Sequence, residues 1–186
     1  MKDLVDRDST DAARRAGSSP LTIRELINAL GDRNGIKRQE AREMLVAMKS
    51  AATPALIEAL RQEDWRVRWE AVKALGNIAD PAAAPALVRA LEDKRSDVRW
   101  LAAEGLIALQ DKGLVPLLQA LVHDSDSLWL REGAHHIFPD LMDKGLDGLA
   151  PIMTTLEGIE PAVQVPLAAQ SLLDALTGSA RLQENP

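Results

Sequence analysis

The feature that most restricts what this chain can fold into is a stretch that occurs twice. PALIEALRQEDWRVRWEAVKALGNIADPAAA, beginning at Pro54, aligns with PALVRALEDKRSDVRWLAAEGLIALQDKGLV, beginning at Pro85, 31 residues further on. Val67/Val98, Arg68/Arg99, Trp69/Trp100, Ala71/Ala102 and Leu75/Leu106 keep that offset. Self-similarity at such a period signals a solenoid, in which each unit buries its apolar face only by stacking on its neighbours.

Each unit reads as a pair of helices. Leu56, Ile57 and Leu60 recur at helical spacing behind Pro54, whose fixed φ suits the first helical position, and Thr53 is placed to cap it. After a polar turn, Val67, Ala71, Ala74, Leu75 and Ile78 form one face of a second helix that Asp64 can cap. Asp80-Pro81 closes the unit, because a residue before proline is pushed out of the helical region. The pattern extends in both directions. Leu26, Ile27 and Leu30 match Leu56, Ile57 and Leu60, and Lys37, Arg38, Ala41 and Leu45 follow in the second-helix slots. A fourth unit opens at Pro116 and aligns, with an insertion, through Leu130, Arg131, Ala134, Phe138 and Leu141. Pro139 should kink or end that helix. A fifth opens at Pro151, with Val165, Ala169, Leu173 and Leu176 as its core and Pro166 in place of the arginine. The expectation is an all-α solenoid of about five helix pairs, near 24–48, 54–78, 85–109, 116–141 and 151–177. Residues 1–20 read as a disordered tail, 21–177 as the solenoid and 178–186 as a frayed end.

The slots filled by Asp64, Val67, Arg68, Ala71, Ala74, Leu75, Gly76, Ile78, Asp80, Pro81, Ala83, Leu87, Ala90 and Leu91 carry a family resemblance. This pattern resembles the HEAT-like repeats of the phycobilisome-lyase type. The resemblance covers about residues 21–177 and is strongest over 54–109. It implies a right-handed α-α superhelix with second helices lining a concave face that binds another protein, and it leaves open a bilin lyase or lyase subunit.

Composition narrows the chemistry. With no cysteine, disulfides, thiolate metal sites and thiol nucleophiles are excluded. No apolar run is long enough for a signal peptide or a membrane span, so a cytoplasmic protein without membrane contact is expected. No phosphate-binding glycine loop and no nucleophile elbow occurs, so no catalytic residue and no cofactor is assigned. The net charge of −6 is uneven: residues 1–110 carry 18 Lys/Arg against 17 Asp/Glu, and residues 111–186 carry 4 against 11. Such an acidic half repels phosphate backbones, which makes nucleic acid an unfavoured partner even though residues 61–100 hold 8 basic and 7 acidic residues.

Four of the five aromatic residues are tryptophans, and Trp65, Trp69, Trp100 and Trp129 all fall at the start of a second helix. At 100° per residue, with Val67 at zero, Trp65 falls near 160° and Trp69 near 200°, away from their own core stripe. Trp100 repeats the Trp69 slot, with Arg66, Glu70, Lys73, Asn77, Asp97, Leu101 and Glu104 around the pair. Either the indoles cover gaps between helices or they form a recognition hot spot, and the ring of charges favours the second. These eleven residues are the expected partner-binding set. Arg38, Arg68, Arg99 and Arg131 repeat in register with the core, which reads as a structural ladder bonding turn carbonyls and acids such as Asp64. Glu132 and His136 stand four apart on one helix, yet no second histidine faces them, so no metal is assigned. The leading reading is a non-catalytic scaffold that binds another protein, with a bilin lyase and a nucleic-acid reader as alternatives.

Overall fold

The computed structural model describes residues 21–183, and within them the chain is an α-solenoid of ten helices with no strand. They are α1 (Ile23–Ala29), α2 (Gly35–Ala47), α3 (Thr53–Ala59), α4 (Trp65–Ile78), α5 (Ala84–Ala90), α6 (Ser96–Leu109), α7 (Asp111–His123), α8 (Leu128–Asp143), α9 (Ala150–Leu156) and α10 (Pro161–Gln183). The expected tail over residues 1–20 lies outside the described residues. Among those described, no helix is long and apolar enough to cross a membrane.

Several first helices have only seven residues, about 10 Å of axis. Helices so short are marginal in water, so packing against neighbours must hold them. One leucine per unit does this in the first-helix layer: Leu26, Leu56, Leu87 and Leu118 are all fully buried. In the second-helix layer Leu45, Leu75, Leu106 and Phe138 are buried in the same way. Each such side chain contributes about 1.5–3 kcal/mol of transfer free energy. Asp64 caps α4 through the N–H of Arg66 at 2.9 Å, and Asn34 and Ser127 cap α2 and α8 likewise.

The cap expected of Thr53 is not made. Thr53 is already helical and buried, and its hydroxyl donates to Asp80 Oδ2 at 2.9 Å, which ties α3 to the turn that opens the next unit. Ala79, in the left-handed region at φ 53°, ends α4 just before Asp80. The fourth unit opens at Asp111 rather than near Pro116, since only Gln110 separates α6 from α7. Pro139 does not end α8, which runs on to Asp143. Buried Phe138 and Leu141 on either side hold that turn in helical register.

Four units stack regularly, α2, α4, α6 and α8 forming one layer and the first helices the other. The fifth exchanges its layers: α9 lies on α8, while α10 packs chiefly along α7. The helices that meet there are long: α7 has 13 residues and α10 has 23. Gly145 and Gly148, both at positive φ, reverse the chain ahead of it. Ser125 Oγ donates to the Ala162 carbonyl at 2.9 Å, and Val165 and Ala169 are fully buried. Leu176, expected in the core, is instead 38% exposed, and α10 continues past residue 177.

The helices α4 and α6 approach each other closely. A Cβ on Gly76 would lie 3.2 Å from the Gly105 Cα, so the two backbones meet with no side chain between them. One repeat along, the same register puts the buried side chains of Ile107 and Ile137 in those places. Two isoleucines cannot fit where two α-carbons touch. Accordingly, α6 and α8 approach each other less closely than α4 and α6.

Candidate functional site

That wider spacing leaves a groove of about 240 Å³ between α6 and α8. Its floor is Leu91, Ala103 and Gly133, and its walls are Trp100, His136, Trp129 and Arg99. Gly133 makes room there, because a Cβ would lie 3.0 Å from the buried Leu91 side chain, which would have to shift. Trp100 is 57% exposed and stacks one face on the His136 ring at 4.4 Å between centroids. The Arg99 guanidinium lies 4.5 Å from the Trp129 ring centre, a cation–π contact worth about 0.5–1 kcal/mol at an exposed site. His136 Nε2 is 3.0 Å from Glu104 Oε1. Glu132 lines the same groove and has no ion pair or hydrogen bond among the described residues.

The other indoles are arranged differently. Trp65 is 38% exposed, with Arg95 at 4.7 Å and Arg66 at 5.6 Å from its ring centre. Arg95 also pairs with Asp97 at 3.1 Å, so Trp65, Arg66, Arg95 and Asp97 form one polar-rimmed patch. Trp69 is half-buried against the core, with Lys73 Nζ 4.8 Å over its ring. The expected equivalence of Trp69 and Trp100 therefore breaks down. The first is half-buried against the core, and the second stands exposed at the α6–α8 groove.

One member of the expected binding set belongs to the interior. Glu70 is only 2% exposed, and its carboxylate accepts from Arg42 and from Arg38 Nε, the latter at 3.2 Å. It joins the first unit to the second as the centre of an ion triad, because packing α2 on α4 leaves a charge there nowhere to solvate. Leu101, like Trp69, is half-buried against the core. Asn77 and Glu104 are exposed, as expected of surface residues, and Arg66, Lys73 and Asp97 are half-buried.

The arginine ladder has the carbonyl partners its register implies. Arg38 donates to Asp32 O at 2.8 Å, Arg68 to Gln62 O and Glu63 O at 2.9 and 2.8 Å, Arg99 to Asp93 O at 2.9 Å and Arg131 to Ser125 O. Its acid is not Asp64, which holds Arg66 instead. Arg68 reaches across to the next unit and grips Asp93 with Nε at 2.6 Å and Nη2 at 2.9 Å. Burial pushes the Asp93 carboxyl up, but hydrogen bonds from Arg68 and the Arg95 N–H, with the charges of Arg68 and Arg99, hold it below its ordinary value. The same hydrogen bond to Asp93 raises Arg68.

Arg95, Arg99, Glu132, Gly133 and His136 were absent from the expected set. His136 occupies the slot of Glu104 one repeat on, and that register was a usable signal. The His136 imidazole turns to Glu104 and Trp100. Among the described residues no group of three or more His, Asp or Glu is placed to hold a metal ion.

The family model described as HEAT repeats matches residues 23–107, so the first three units are similar to HEAT repeats. No curated protein gives a significant match to the chain.

Proposed function

We propose that this protein is a non-catalytic scaffold that binds another protein on its second-helix layer, with the α6–α8 groove as the anchor point. HEAT repeats generally mediate protein–protein interaction, and the match over residues 23–107 supports that role here. The observation that carries the reading is Trp100. A 57% exposed indole, stacked only on a histidine at one face, leaves apolar area in water that a partner would bury. Tryptophan and arginine are the residues in which binding hot spots are enriched, and the groove holds two of the first and one of the second. The concave face to which the resemblance assigns partners corresponds to this layer. A lyase subunit of the phycobilisome type would need the same protein contact, so one experiment addresses both.

That experiment uses the full chain as bait in extracts of its native host, beside the double variant Trp100→Ala/Trp129→Ala. A specific partner is retained by the first and lost by the second, while circular dichroism shows the variant folded. Affinity for the identified partner should fall by about 2 kcal/mol or more, roughly thirtyfold in Kd. Retention of every captured protein by the folded variant would refute the groove as anchor.

A further inference from the structure

Resting on the interaction reading above, we infer that the α6–α8 groove takes a cationic side chain, an arginine or lysine carried on a basic segment of the partner protein. The size of the groove sets the scale of the occupant. At about 240 Å³ it falls below the roughly 300–1,000 Å³ of small-molecule sites, so it accommodates one side chain rather than a whole organic cofactor.

The chemistry of the walls sets the sign. Arg99 is already committed to the Trp129 ring and to the Asp93 carbonyl, and His136 to Glu104 and Trp100. The charged group in the groove with nothing bonded to it among the described residues is the Glu132 carboxylate. A guanidinium or ammonium entering the groove can pair with that carboxylate. An anionic side chain would meet Glu132 and the nearby Glu104 as like charges. An apolar one would leave Glu132 to lose solvent without compensation.

The surroundings reinforce the local preference. Residues 111–186, which supply one wall of the groove, carry 4 basic against 11 acidic residues. Such a surface steers basic segments toward the groove and slows the approach of acidic ones or of nucleic acid, an effect that weakens with salt.

The test uses the folded chain, ¹⁵N-labelled, with Nα-acetyl-argininamide, Nα-acetyl-norleucinamide and Nα-acetyl-glutamate amide as probes. The four indole N–H signals, assigned by single Trp→Phe variants, report on the groove, and Trp65 and Trp69 serve as controls on the same molecule. The argininamide should shift Trp100 and Trp129 saturably in the millimolar range, the other two probes should not, and Glu132→Gln should weaken the effect roughly three- to fivefold, the range for an exposed ion pair. Equal shifts with norleucinamide, an unchanged response in Glu132→Gln, or no saturable shift with argininamide would each overturn the assignment. A partner that is captured through Trp100 and Trp129 but whose contact segment is not basic would sink the cation assignment alone and leave the scaffold reading standing. Failure of capture as well would remove both.

Discussion

Glu70 offers the sharpest test of how this solenoid is held together, because its place in the sequence suggests a partner contact and its place in the fold makes it an interior strut. Its carboxylate is 2% exposed and accepts from Arg42, itself 9% exposed, and from Arg38. Glu70→Ala leaves two guanidinium groups facing each other without a counter-charge. Removing one member of a buried pair typically costs about 3–5 kcal/mol. Here the cost is reduced, since the Arg38 side chain is 24% exposed and keeps its bond to the Asp32 carbonyl, so it can turn toward water. We expect about 2–3 kcal/mol, which for a chain of this size lowers Tm by roughly 4–12 °C. Thermal and urea unfolding followed at 222 nm would measure it. The double variant Arg42→Leu/Glu70→Leu should recover most of the loss, because apolar residues of similar bulk replace buried ions at little net cost. A Tm unchanged within a degree in Glu70→Ala, or a double variant no better than the single, would refute the strut.

Other outcomes follow from the same contacts. Gly76→Ala should destabilise despite the roughly 1 kcal/mol that alanine gains over glycine in a helix, because its Cβ would press on the Gly105 backbone at 3.2 Å; a higher Tm would disprove the close crossing. Leu106→Asp should leave no cooperative unfolding transition, whereas Leu101→Asp, half-buried beside the core, should cost about 1–2 kcal/mol; equal damage would contradict the burial pattern. Asp93 has its carboxyl lowered below the ordinary 3.8, so the stability it contributes is present above that value and is lost as pH falls through the lowered one. Acid titration of Tm should therefore show a steeper fall below pH 4 in the wild type than in Asp93→Asn, and parallel curves would count against the Arg68 grip.

How much of this was legible beforehand depends on the range of the interaction involved. The 31-residue repeat, the buried leucines at its slots and the Asp64 cap follow from local periodicity and backbone chemistry, which a single unit carries within itself. The arginine ladder was legible for the same reason, since each guanidinium bonds the turn just ahead of its own helix. What the sequence by itself did not determine is everything that lies between units. A helical wheel places Trp69 and Trp100 at the same angle, but it holds no information on how near the next helix stands. That distance is decided by Gly76 against Gly105 in one crossing and by Ile107 and Ile137 in the next, residues from different helices whose register becomes visible only when they are stacked. The wheel likewise puts Glu70 outside the core stripe, although the neighbouring α2 brings two arginines over it and closes it off from water. The exchange of α9 and α10 is also tertiary, because it is defined by which earlier helix each one packs on, and no single-unit pattern announces that or the early start of α7 behind Gln110. Sequence set the material of each repeat, and the side-chain bulk at each crossing set which of its indoles remained in solvent.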